Sequence, residues 1–148
     1  MRDDDALALP ALLLAAGSAL VDGIQAGVVA RGFTDVRPAH GFAFARLAPS
    51  GATVSELAAH LGVTRQAAAQ LVDELVTRGY VERRPHPEDG RAQLVLLTER
   101  GWACTRAADA AAAETVGTWV GVLGQERLRA LRDDLAKLAP AGHLRPTW

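Results

Sequence analysis

One cysteine in 148 residues, Cys104, leaves no intramolecular disulfide available and suits a reducing compartment. Its Ala-rich surroundings offer only Arg100 or Arg106 to stabilise a thiolate, so a redox switch is not expected. An excess of positive charge is also missing. Sixteen Lys and Arg face 17 Asp and Glu, giving a net charge of −1 and a pI near 6.4, where a nucleic-acid binder ordinarily shows a basic footprint. Total charge is not local potential, because a dimer can carry acid on its far side and present a few arginines on one face. No nucleophile elbow surrounds Ser18, Ser50 or Ser55, and no G-x-G-x-x-G loop exists to cradle phosphate, so an enzyme has no positive feature in its favour. His40, His60, His86 and His143 are scattered singly, away from metal-ligand spacing, and neither metal nor cofactor is expected. The chain begins with Asp3, Asp4 and Asp5 where an export signal carries positive charge, and the apolar run behind them is broken by Gly17, Asp22, Gly23 and Gln25. Neither signal peptide nor membrane partner is expected, which places the protein in the cytoplasm, at the nucleoid if it binds DNA. Internal repeats, a separable linker and low-complexity tracts beyond Ala110–Ala113 are lacking as well.

What is present is 49% apolar residues, enough to bury the core of one compact domain with extensions. Residues 6–30 are rich in Leu, Ala and Val, with Leu13, Leu20, Ile24 and Val28 near helical spacing and Pro10 tolerable close to the start. A helix this apolar on several sides needs cover, most simply from a second chain. Arg31-Gly32-Phe33-Thr34 stops it, Pro38 opens a second helix through Leu47 with His40, Phe42 and Phe44, and Pro49, Ser50 and Gly51 end that one. Thr53 with Glu56 makes a capping box for a third helix, Val54 to Leu61, closed by Gly62. Thr64 caps the fourth, which reaches Arg78 before Gly79. Ala68, Leu71, Val72, Leu75 and Val76 form its apolar stripe, while Gln66, Gln70, Asp73 and Thr77 lie opposite, flanked by Arg65. Two strands, 80–84 and 93–97, follow with a Pro87- and Gly90-bearing loop that projects Arg91. Thr98 then caps a long Ala-rich helix to about Val122. Leu128, Leu131, Leu135 and Leu138 repeat at spacings of three and four on a last helix, a seam against the first helix or a partner chain.

The fold class is therefore mainly α with a small β-hairpin wing: a winged helix-turn-helix plus dimerisation helices. Residues 1–32 are expected to form an N-terminal dimerisation helix, 33–101 the winged helix-turn-helix and 102–148 the C-terminal dimerisation helices. A helix in the DNA major groove reads bases from its N-terminal turns, Arg bidentate to guanine and Gln to adenine. Arg65, Gln66 and Gln70 occupy those turns, and the Thr64 hydroxyl and helix amides can meet phosphate. Arg91 suits the adjacent minor groove, with Asp89 bracing it. Each group alone is an ordinary solvated helix face or hairpin loop; helix, turn, helix and hairpin in one unbroken stretch is what points to DNA. Trp102 and Trp119 fit core packing, or, with His40 and Phe44, the walls of an apolar effector crevice.

The stretch LVDELVTRGYVERRPHPEDGRAQLVLLTERG resembles the signature of the MarR family of bacterial transcriptional regulators, which is similar to L-x-x-x-L-x-x-x-G-x-V-x-R, then D-P-x-D-x-R and L-T-x-x-G. The matching residues are Leu71, Leu75, Gly79, Val81 and Arg83, then Pro87, Asp89 and Arg91, then Leu97, Thr98 and Gly101. The resemblance implies a homodimer on a pseudo-palindromic double-stranded operator, read as a repressor, with the fourth helix in the major groove and the wing in the minor groove. It also implies release of DNA when a small effector, often aromatic or anionic, enters between the dimerisation helices and the winged unit. By position, Arg65, Gln66 and Gln70 become base or phosphate readers and Arg91 the wing arginine. His86 stands where the family often has Asp, and Gly90 replaces a frequent second wing Arg, so specificity should rest more on the helix than on the wing. The rival expectation is a winged-helix module whose polar fourth-helix face docks a protein.

Overall fold

A computed structural model describes residues 3–139, with backbone alone for Asp3, Asp4 and Asp5; His143 and the rest of the expected C-terminal unit beyond 139 lie outside the described residues. The elements are α1 (Asp3–Ala30), α2 (Pro38–Leu47), α3 (Val54–Leu61), α4 (Arg65–Thr77), β1 (Val81–Pro85), β2 (Gln93–Leu97), α5 (Glu99–Leu123) and α6 (Gln125–Leu138). Local capping sets most of these boundaries. Thr53 Oγ1 accepts the Glu56 N–H at 3.2 Å, and the Glu56 carboxylate accepts the Thr53 N–H at 3.3 Å, which satisfies two of the orphan donors at the start of α3. Gly62 takes the left-handed conformation, φ 68°, that ends α3 and turns the chain into α4. Thr64 and Thr98 cap α4 and α5 by accepting the N–H of Ala67 and Gly101. The Thr98 hydroxyl also donates to the Gly79 carbonyl at 2.6 Å, tying the turn after α4 to the start of α5.

The wing is an antiparallel pair with Val81 opposite Leu97, Arg83 opposite Val95 and Pro85 opposite Gln93. Ala52, just before α3, bridges to Val95 through two backbone hydrogen bonds, so the root of the wing is pinned to the helix-turn-helix. The first strand begins one residue later than its sequence pattern suggests. Tyr80 instead sits fully buried in the turn, its ring 6.3 Å from Phe33 and 5.6 Å from Phe44, and its hydroxyl donates to Asp35. The core includes Val28, Phe44, Leu47, Leu57, Val72, Leu75, Tyr80, Val95 and Cys104, and so runs from α1 through the winged unit into α5. Along α4, Ala68, Val72 and Leu75 are buried and Leu71 half-buried, but Val76 at the edge of the expected stripe is exposed.

The C-terminal half of α1 lies against α5. The two helices approach so closely that a Cβ on Gly27 would stand 2.5 Å from that of Ala111, and Arg31 pairs with Glu114 at 2.6 Å. Gly27, and Gly23 beside Thr115, weaken the isolated helix but allow the contact. Residues 6–19 are exposed throughout, including Leu7, Leu12 and Leu14. By length and composition Ala6–Ala30 meets the requirement for a membrane span, with a mean hydropathy of 1.9, despite the interruptions noted in its sequence. No residue of α6 is buried, and Leu135 and Leu138 of its seam are exposed.

Candidate nucleic-acid interface

The polar face of α4 is available: Thr64, Arg65, Gln66, Gln70 and Asp73 are all exposed. Thr64 Oγ1 is engaged by the Ala67 N–H at 3.1 Å, so the hydroxyl proton is what it can offer a phosphate. Arg65 Nε donates to Ser55 Oγ on α3 at 3.2 Å. In the wing, Asp89 Oδ1 accepts the backbone N–H of Arg91 at 3.0 Å, an Asx turn that fixes the loop. Asp89 is thus seen to meet Arg91 through a backbone hydrogen bond: the carboxylate shapes the turn, and among the described residues none pairs with the guanidinium.

A cleft of about 520 Å³ separates the wing from the amino ends of α3 and α4, and Arg65, Arg91, Asp89, Ser55, Thr53 and Gln93 line it. The placement of charge around it is selective. Arg37 and Arg78 pair with Glu74, Arg46 with Glu56, Arg83 with Asp73, Arg84 with Glu82 and Arg100 with Asp35, all within 3.3 Å. Among the described residues no carboxylate reaches ion-pair distance of Arg65 or Arg91. The two uncompensated guanidinium groups of the winged unit therefore share one cleft, beside the exposed Gln66 and Gln70. A chain with a net charge of −1 can still present these two cations together, since most other arginines among the described residues pair with carboxylates. Ser55 and the Asp73–Arg83 link from α4 to the wing, 2.6 Å, escaped the sequence reading because partners ten residues apart leave no local pattern.

Of the residues expected to wall an effector crevice, His40 and Phe44 are buried one turn apart on α2, while Trp102 and Trp119 lie on α5. His40 is fully buried: Nδ1 accepts the Arg37 N–H at 2.9 Å, which leaves the proton on Nε2 to donate to Glu74 at 3.1 Å. Burial holds its pKa below the usual 6.5, outweighing the hydrogen bond to Glu74 that raises it. The hydrogen bond from His40, aided by Arg78 and Arg37, holds the Glu74 carboxyl below its usual 4.5. His40 thus ties the start of α2 to the carboxyl half of α4. Phe44 is core, against Tyr80. Trp102 is 41% exposed and Trp119 half-buried, but their separation of 17 positions on α5 puts them about 25 Å apart along the helix axis. Cys104 is buried with its thiol pushed up to about 11 by burial, the opposite of a reactive thiolate.

Helix, turn, helix and an arginine-tipped two-stranded wing, framed by long terminal helices, define a winged helix-turn-helix protein. Residues 34–92 match the sequence profile of the MarR family. Among curated proteins it is 32% identical over 89 residues to an uncharacterised protein of Mycobacterium tuberculosis, a match covering 60% of this chain and 62% of the relative. The chain thus matches about three-fifths of the length of its curated relatives. Among solved structures, the apo form of MarR from E. coli superposes with a TM-score of 0.73 at 25% identity, covering 89% of this chain and 96% of that one. A probable transcriptional regulator from Pseudomonas aeruginosa gives 0.70 at 27% identity, covering 93% and 100%. A cysteine-to-serine mutant of E. coli MarR complexed with operator DNA shares the fold, with a TM-score of 0.73 at 22% identity over 95% and 100%.

Proposed function

We propose that this chain is a cytoplasmic, homodimeric DNA-binding transcriptional repressor that occupies a pseudo-palindromic operator. In this reading α4 enters the major groove, Gln66 and Gln70 read base edges, and the wing carries Arg91 to the adjacent minor groove. The observation that carries it is the convergence of Arg65 and Arg91, each without a carboxylate partner, on one cleft beside the exposed face of α4. Uncompensated arginines at the seam of two elements suit a polyanion; a polar protein-docking face has no need to leave these two alone unneutralised. The E. coli relative solved with operator DNA shares the fold, which supports a DNA-binding reading. A second copy supplies the cover that residues 6–19 of α1 and the Leu135 and Leu138 seam of α6 lack in one chain, so the terminal helices, within 1–32 and 102–148, serve as the dimerisation units.

Release by a small aromatic or anionic effector completes the proposal. His40 and Phe44 hold structural positions, so Trp102 and Trp119 are the expected residues left to report such a molecule, through quenching of their fluorescence. Mobility-shift titrations on fragments of the neighbouring promoter at several salt concentrations test the core of the reading. A saturable, sequence-selective complex is expected. Binding without sequence preference even at low salt would refute it.

A further inference from the structure

Adjacent major and minor grooves are separated by a single sugar–phosphate strand, so a protein with a helix in one groove and a hairpin in the next straddles that strand. The space between the amino end of α4 and the wing is the 520 Å³ cleft that Arg65 and Arg91 line. Arg65 is oriented within it by a neighbouring helix: its Nε proton is taken by Ser55 Oγ at 3.2 Å, leaving the two terminal amino groups as donors. A guanidinium anchored at Nε presents the Nη edge as a fork, the geometry that meets two oxygens of a phosphate. Asp89 also lines the cleft, and one of its carboxylate oxygens is occupied by the Arg91 backbone N–H. The charged side chains lining the cleft are thus two cations and one anion, a net positive lining that suits phosphate.

Building on the DNA-binding reading above, we infer that Ser55 is a positioning residue that holds Arg65 on a backbone phosphate lying in this cleft beside Arg91. Arg65 then supplies affinity and salt dependence, not base discrimination, and sequence reading on α4 falls to Gln66 and Gln70. This moves Arg65 out of the base-reading set in which its place on the helix alone would put it.

The test uses the full chain and three kinds of labelled duplex: one that the wild type selects from random-sequence DNA, a scrambled duplex of the same composition, and the selected duplex with a single neutral methylphosphonate at each backbone position in turn. Arg65→Ala is expected to weaken binding to the selected and scrambled duplexes by a similar factor. It should reduce the slope of log affinity against log salt by about 0.9 per copy of the chain, and abolish sensitivity to a methylphosphonate that weakens the wild type. Ser55→Ala should move the same quantities in the same direction by a smaller amount, and Ser55→Thr, which keeps the hydroxyl, should restore them. Two results overturn the inference: an Arg65→Ala protein that relaxes preference at one base pair while keeping the wild-type slope, or a Ser55→Ala protein with wild-type affinity and an unchanged methylphosphonate pattern. A wild type that selects no sequence and binds no duplex at low salt overturns the DNA-binding reading itself.

Discussion

Replacing Arg91 by Ala removes one of the two uncompensated guanidinium groups of each winged unit, and the size of the effect follows from the charge census. Six other arginines of that unit pair with five carboxylates of the same chain, Arg37 and Arg78 sharing Glu74, and Arg65 and Arg91 are the ones with no carboxylate partner among the described residues. Two copies bring four such groups, and at about 0.9 per neutralised phosphate they give a slope of about −3.6 in log affinity against log salt. Raising salt from about 0.05 to about 0.2 M should then weaken the wild type roughly 150-fold through these contacts. Arg91→Ala leaves two groups, a slope of about −1.8 and a loss of roughly 12-fold over the same range. Any further phosphate contacts add equally to both proteins, so the difference of about 1.8 is the quantity to measure, by fluorescence anisotropy on one duplex across the salt series. Arg91 lies on an exposed turn held by Asp89 through its backbone N–H, so the substitution leaves the turn intact. A mutant with the wild-type slope, or one weakened with no change in slope, would refute the assignment of free charge to the wing.

Further outcomes follow from other parts of the fold. Gln66→Ala should relax specificity at one operator position at a cost of about 1 to 3 kcal/mol, with the salt slope unchanged, as read by competition among single-base variants of the selected duplex. The depressed pKa of His40 means that its neutral ring stabilises the fold above pH 6.5 and that this contribution is lost as pH falls through the folded value. Urea unfolding should show wild-type stability declining below that pH before the carboxylates titrate, and His40→Gln should flatten the decline; parallel curves for the two proteins would contradict the buried neutral imidazole. A Cβ on Gly101 would collide with the Tyr80 carbonyl oxygen and press on Leu97. Gly101→Ala should therefore lose about 1 to 3 kcal/mol in the same unfolding experiment. Cys104 should resist thiol reagents in the native protein and react only on unfolding, because it is buried and its thiol is held protonated; rapid native labelling would count against that.

The parts of the fold legible in the sequence are those fixed by short-range chemistry. Thr53 with Glu56, Thr64 and Thr98 announce three helix starts because a cap and its target N–H lie within three residues. The wing follows from its Pro87 and Gly90 loop between two β-prone runs. What stayed hidden depends on contacts distant in sequence. His40 reads as an aromatic-pocket residue until its Nε2 is seen to meet Glu74, 34 residues on. Tyr80 reads as the first strand residue, but burial between Phe33 and Phe44, with Asp35 45 residues earlier taking its hydroxyl proton, holds it in the turn. Arg65 and Ser55 are ordinary polar residues of two helices until the turn between them brings the side chains to 3.2 Å. Selective neutralisation of arginine is likewise a property of the folded chain, invisible to a composition that sums to −1.

The most direct test of a dimer that reads DNA with α4 and reaches with its wing is a hydroxyl-radical footprint on the duplex selected by the wild-type protein. Two protected blocks related by the symmetry of the site are expected, their centres about one helical turn apart, each flanked by minor-groove protection that disappears in Arg91→Ala. A single unsymmetrical block, or protection unaffected by loss of the wing arginine, would contradict it.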